Sequence, residues 1–223
     1  MNDNSKILGV FAKEPSAGLV KTRLAESTSL AWAQRVAEAF LEDSLDRFAQ
    51  VDASRSIVYA PAEASAFFTG LSNGRFELIA QDAGDLGHRL QSFFAHARSH
   101  GYTRIVAVGT DSPTLPIAYI SDAFRLLATH DVVIGPAFDG GYYLIGTSRP
   151  MIPVFEAIPW STAGVLETTV ERVRAASATL ALLPPWYDVD RFDDWAMLRG
   201  HVLAMRQAGI DPGVPRVERL ILE

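Results

Sequence analysis

Apolar residues recur along the chain at two alternating periods, and that alternation predicts a fold class. Short apolar runs at Ile7–Phe11, Ser56–Ala60, Phe76–Ala80, Arg104–Val108, Val132–Ile134, Tyr142–Ile145 and Leu180–Leu183 have the length of buried strands. Between them the spacing changes to three and four. Ala33, Val36, Ala37, Phe40, Leu41, Leu45 and Phe48 form one face of a helix over 30–48, with Ser27, Thr28 or Ser29 available as its cap. A short helix is predicted over 62–71, closed by Asn73-Gly74. Others run through Leu90, Phe93, Phe94 and Ala97, and through Ile120, Phe124 and Leu127. A further helix opens at Pro159-Trp-Ser-Thr162 with Ser161 or Thr162 as cap, and a last one follows Asp194 to about Gln207. Strand and helix alternate, which predicts a three-layer α/β/α domain on a mostly parallel sheet. Residues 1–209 read as this single domain. Pro212 and Pro215 mark 210–223 as a C-terminal tail, with Leu220 to Leu222 docked or free.

Composition narrows the partners. At 223 residues, with 48% apolar and 21% charged positions, the chain has material for one sizeable core. The net charge of −6 and the lack of a basic stripe argue against a nucleic-acid partner. An anionic ligand must therefore be held by a local positive site. The absence of cysteine removes disulfides, thiolate zinc sites and thiol nucleophiles together. The polar start, Met1 to Lys6, precedes an apolar run too short for a signal peptide or membrane span, so a cytoplasmic protein with no membrane partner is expected.

The polar residues gather where the predicted strands end. Two of only three lysines, Lys13 and Lys21, lie with Arg23 in the loop after the first strand, alongside Pro15 and Gly18. These cations suit the oxygens of a di- or triphosphate, although the loop lacks the Walker A spacing; the alternative is a solvated surface loop. As exposed cations they are expected to contribute little to folding. Arg89 can grip a phosphate or pair with Asp85 one turn away. Asp111 can bind a hard cation such as Mg²⁺ or Mn²⁺, with Asp188 or Asp190 as second ligand, or Asp111-Ser112 can cap a helix. Asp190 has the same alternative before Phe192. Asp139-Gly140-Gly141 forms a turn whose glycines can admit a sugar or base. Parallel pairing would align several of these loops on one edge of the sheet, where ligands bind in open α/β folds. Neither a Gly-x-Ser-x-Gly elbow nor a His-Glu-x-x-His motif is present, and His96 and His100 lack a third ligand.

Five stretches in order resemble one family: Phe11-Ala-Lys-Glu-Pro-Ser-Ala-Gly-Leu-Val-Lys-Thr-Arg-Leu24, Gly109-Thr-Asp-Ser-Pro113, Gly135-Pro-Ala-Phe-Asp-Gly-Gly-Tyr-Tyr-Leu-Ile-Gly146, Trp160-Ser-Thr162 and Asp188-Val-Asp190. They look like the bacterial GT-A-type glycosyltransferases of the DUF2064 family, some labelled as arsenosugar-biosynthesis glycosyltransferases. That family is similar in turn to nucleotidyltransferases of the MobA and phospholactate guanylyltransferase type. The resemblance implies a Rossmann-like nucleotide-diphospho-sugar transferase fold, a nucleotide over the first strand's loop, and Mg²⁺ or Mn²⁺ at Asp111. Its usual Asp-x-Asp metal motif is here Asp111-Ser-Pro113, with a single aspartate. Within this expectation Ala12, Lys13, Gly18, Lys21, Arg23, Gln81 and Arg89 bind nucleotide and phosphate. Gly140, Gly141, Trp160 and Ser161 face sugar or acceptor, Asp111 and Asp139 are the catalytic carboxylates, and Asp111 with Asp188 or Asp190 holds metal. The expected reaction is glycosyl transfer from a nucleotide-diphosphate sugar to a small acceptor. The alternatives are nucleotidyl transfer from a nucleoside triphosphate and nucleotide binding without turnover.

Overall fold

The computed structural model of the chain describes residues 5–149 and 153–223, so the polar start Met1–Asn4 lies outside the described residues. The elements in order are β1 (Lys6–Lys13), α1 (Thr22–Ala25), α2 (Leu30–Phe48), β2 (Ser54–Ala60), a 3₁₀ turn (Ala62–Ala64), α3 (Ser65–Ser72), β3 (Glu77–Ala80), α4 (Leu86–Ser99), β4 (Arg104–Val108), α5 (Ile117–Leu126), β5 (Val132–Pro136), β6 (Tyr142–Thr147), α6 (Val165–Ala175), β7 (Leu180–Leu182), α7 (Phe192–Gln207) and α8 (Pro215–Ile221). The strands form one sheet in the order β3-β2-β1-β4-β6-β5-β7.

All pairings are parallel except the two made by β6, which is antiparallel to β4 and β5. Only residues 137–141 join β5 to β6, and a parallel return needs a crossover of about a dozen residues or more. This hairpin brings Tyr142, the first residue of β6, to the edge where β1, β4 and β5 end. The chain leaves β1 for β2 on one side, while β4 lies on the other. The gap between β1 and β4 is therefore the topological switch point of the sheet.

The period of two along β1 divides the core. Leu8, Val10 and Ala12 pack with Leu41, Leu45, Phe48, Ile120 and Phe124 on the face covered by α2 and α5. Ile7 joins Leu90, Phe93, Phe94, Ala97 and Val173 on the face covered by α4 and α6. Gly9 belongs to this second face, and the ring of Phe93 lies where a Cβ would stand, 2.3 Å from its Cζ. Phe93 in turn meets Phe11 edge-on at 5.6 Å between ring centres, which fixes the last aromatic before the first loop.

Helix ends follow the sequence reading in places and depart from it in others. Ser29 Oγ accepts from Trp32 N–H at 3.1 Å and caps α2, and Asn73 closes α3 in the left-handed region. The expected cap at Ser161 or Thr162 is corrected: α6 begins at Val165, and Ser161 has φ 64°. Thr162 instead donates to Pro159 O and accepts from Gly164 N–H, which stabilises the turn before the helix. The segment read as a tail is also different. Its end folds as α8, and Val217 and Ile221, with Val214 just before the helix, are buried with Phe40, Trp195, Leu198 and Val202 in a third apolar cluster. Proline at the first helical position starts α8 where the pattern had suggested an end.

Candidate functional site

The loops after β1, β3 and β4 open onto one cavity of about 700 Å³ at the switch point. Its walls include Phe11, Ala12, Lys13, Lys21, Gln81, Arg89, Asp111, Tyr142, Trp160, Ser161, Asp188 and Asp190. Gly18, Arg23, Asp139, Gly140 and Gly141 lie outside that lining. Gly18 has φ 81° and shapes the loop that carries Lys21 inward. Arg23 is half exposed, with its guanidinium 3.9 Å from Asp190.

Lys21 departs most from expectation. Its side chain is only 5% exposed, so it is not the solvated cation that the loop composition implied. The backbone there is left-handed (φ 46°, ψ 40°), which for a residue with a Cβ is a strained choice. The ammonium donates to Asp111 Oδ1, to Val189 O at 2.7 Å and to Asp190 Oδ1 at 3.1 Å. It also lies 5.4 Å from the centre of the Phe40 ring. Burial alone would lower its pKa, but Asp111 and Asp190 outweigh that and raise it, so the amine stays charged.

Two segments distant in sequence meet at this lysine, and named bonds hold them together. Arg47 of α2 donates to the carbonyls of Pro113 and Leu115, fixing the loop after β4. Val189 N–H donates to Asp111 O at 3.0 Å. The Tyr187 hydroxyl is 2.8 Å from Thr114 Oγ1 and 2.7 Å from His201 Nδ1, and Trp186 stacks on its ring. These contacts set Asp188 and Asp190 across from Asp111. Neither aspartate acts as a helix cap. Helix α5 starts at Ile117, well past Asp111, and the N–H groups of Asp190 and Arg191 before α7 both donate to Asp194.

Asp188 is the electrostatically unusual member. Burial first, then Asp139, and then Asp190 and Asp111 push its carboxyl up to about 6. A carboxyl raised by folding binds its proton more tightly in the folded protein, so its contribution to stability is lost as pH rises from about 4 through 6. Asp188→Asn removes that penalty. Its melting temperature should exceed the parent's at pH 7.5, and the excess should shrink as pH falls through 5 towards 4; equal temperatures at pH 7.5 and pH 4 would refute the shift.

Other side chains are already engaged. Arg89 makes no pair with Asp85, whose carboxylate instead caps α4 by accepting from His88 N–H at 2.8 Å. Arg89 donates to Gly84 O at 3.0 Å and Gln81 Oε1 at 3.2 Å, and Gln81 donates to Val58 O at 2.7 Å. Gln81 thus ties the ends of β2 and β3 to Arg89. Asp139 accepts from Gly141 N–H in a tight turn. At Gly140, φ 91°, a Cβ would stand 2.3 Å from Ala163 O, so a glycine is what lets this turn close against residue 163. Tyr142, read only as a strand residue, lines the cavity edge-on to Trp160 at 6.4 Å. Its place beside Asp139-Gly-Gly141 was a signal available in the sequence.

The donor chemistry fits a hard divalent cation, since Asp111, Asp190 and the Val189 carbonyl already enclose a charged stand-in, the Lys21 ammonium. Among the described residues no group of three His, Asp or Glu side chains could hold a metal by itself. Mg²⁺ sites commonly use one or two carboxylates completed by substrate phosphate.

The architecture is that of the nucleotide-diphospho-sugar transferases: a mostly parallel seven-stranded α/β sheet with its cavity at the switch point. The DUF2064 family, described as "uncharacterized protein conserved in bacteria", matches residues 44–162, and the chain belongs to it. A "putative nucleotide-diphospho-sugar transferase" from Desulfovibrio desulfuricans G20 is 36% identical, with 89% of this chain and 87% of that chain covered and a TM-score of 0.85. The inositol-1-phosphate CTP transferase of T. maritima shares the fold at 12% identity, with 87% and 93% covered and a TM-score of 0.57. Rv0371C from Mycobacterium tuberculosis H37Rv, solved with manganese, does so at 18% identity, with 86% and 97% covered and a TM-score of 0.51. No curated protein matches the chain. Among the described residues no helix is long and apolar enough to cross a membrane.

Proposed function

We propose that this protein transfers a glycosyl group from a nucleotide-diphosphate sugar to a small acceptor, with Mg²⁺ or Mn²⁺. The observation that carries this reading is the meeting of Lys13, Lys21 and Arg89 with Asp111, Asp188 and Asp190 around one cavity at the switch point. The nucleotide lies over Ala12 and the loop after β1, and the cations face its phosphates. A divalent metal at Asp111 and Asp190 would neutralise charge on the departing nucleoside diphosphate. Asp188, poised near 6, accepts the proton of the acceptor hydroxyl as the acceptor oxygen attacks the anomeric carbon. Meanwhile the bond from that carbon to the β-phosphate oxygen breaks.

The charge on the acceptor side supports glycosyl over nucleotidyl transfer. Asp188 faces the cavity with Asp139 close enough to raise its carboxyl, and Lys21 is already paired. That environment suits an uncharged acceptor better than a phosphorylated one. The test is a thermal-shift screen of nucleoside triphosphates and nucleotide sugars with Mn²⁺ and with chelator, followed by product analysis. A donor at 100 times its dissociation constant should add about 2.7 kcal/mol. Release of nucleoside diphosphate supports this reading. Pyrophosphate would assign nucleotidyl transfer, and binding without product would assign a nucleotide-binding protein.

A further inference from the structure

Lys21 occupies the position that a metal bound by Asp111 and Asp190 would need. Its ammonium touches both carboxylates and the Val189 carbonyl, and its side chain is 95% shielded from solvent. A buried ammonium cannot simply be expelled. If a divalent ion took its oxygen partners, the lysine would be left in a desolvated place without a counter-charge, at a large cost in free energy. The ion alone therefore meets a competitor tethered to the protein at high effective concentration. A phosphate group changes the balance, because its oxygens can receive the displaced ammonium while they also complete the metal's coordination.

We infer that Lys21 is a tethered cation holding the metal position of the nucleotide-free protein, so that a divalent ion enters only together with a phosphate-bearing ligand. The inference rests on the nucleotide-dependent reading above for its second half, whereas its first half concerns the free protein alone. Metal and nucleotide are then positively coupled, and by linkage each tightens the other equally. The left-handed backbone at Lys21 and the glycine three residues earlier provide the joint on which the side chain can move from carboxylate to phosphate.

The test titrates Mn²⁺ alone into nucleotide-free protein, with free Mn²⁺ followed by electron paramagnetic resonance. The parent should show no saturable binding up to about 1 mM, a weak-site range for cations on oxygen ligands. Lys21→Met should bind at least about tenfold more tightly, the span of an ordinary coupling. Lys13→Met makes the same charge change in the same cavity without vacating the position, and like the parent should show no saturable Mn²⁺ binding up to about 1 mM. Equal affinities in parent and Lys21→Met, including no binding by either, would overturn the proposal, as would an equal gain in Lys13→Met. A second measurement needs no variant. With three lysines in the chain, the Lys21 side-chain amine can be followed by NMR. Its signal should ignore Mg²⁺ alone and shift when Mg²⁺ is added with the nucleotide identified by the screen. A shift with Mg²⁺ alone would overturn the inference. Absence of any nucleotide response, with the Mn²⁺ results intact, would count against the transferase reading instead.

Discussion

Asp111→Asn should lower turnover of the nucleotide-sugar donor by at least about 100-fold, some 2.7 kcal/mol in the activation barrier, while the protein still folds. The expected asymmetry follows from where Asp111 sits. Its side chain is more than half exposed, and no helix depends on it for a cap. Asparagine keeps an oxygen to accept from Lys21, and Asp190 and Val189 O continue to hold that ammonium. The Lys21 end of this pair is buried, so some stability is lost, but with Asp190 left as counter-charge the loss should stay below the roughly 3 kcal/mol of a buried pair broken outright. The negative charge is what a hard cation and a developing transition state require, and it is lost outright. Steady-state kinetics on donor hydrolysis or transfer, paired with urea unfolding, separate the two effects. Turnover within threefold of the parent would remove Asp111 from the chemistry and direct attention to Asp188 and Asp190.

The largest effect on stability is expected at Asp43, far from the chemistry. Its carboxylate is fully buried and accepts from the N–H groups of Arg216 and Val217, both at 3.0 Å, and from the Arg216 guanidinium at 3.0 Å. It thereby satisfies the first turn of α8, and those donors oppose the burial that raises its pKa. Asp43→Ala leaves those donors buried without their acceptor, although Asp46 and Glu42 still pair with Arg216. Breaking one side of a buried charged pair costs about 3 kcal/mol. For a chain of this size that corresponds to roughly 9 °C in melting temperature. Helix α8 should then loosen from α2 and α7, with earlier amide exchange at Val217 and Ile221. A melting temperature within 2 °C of the parent would show that the third apolar cluster holds α8 without Asp43.

Asp111 and Asp43 differ in how visible they are in the sequence. Asp111 stood out because a lone carboxylate after a fully apolar run must emerge at the end of a buried strand. Asp43 gave no such sign: on a helical face spaced for burial it reads as an ordinary polar interruption, and its partners lie 173 and 174 residues away. The same difference explains the tail. Helix α8 is only seven residues long, too short to be stable alone, and it holds because α2 and α7 present an apolar surface to it.

Periodicity and local chemistry determined much of this protein by themselves. The alternation of short apolar runs with helical spacing is sufficient to dictate the layered α/β architecture, because a backbone period of 2 or 3.6 fixes which side chains can share a face. The placement of the polar clusters at strand ends likewise follows from the need to keep them out of the sheet's core. Tertiary structure alone decided how those clusters combine. It reversed β6, since a five-residue connection cannot cross over. It also carried the Asp188-Val-Asp190 segment beneath the loop after β4 and turned Lys21 from a surface cation into a buried one. Solvation of a charge depends on what the rest of the chain brings to it, and that is a property of distances between residues 90 and 169 positions apart, which no local pattern records.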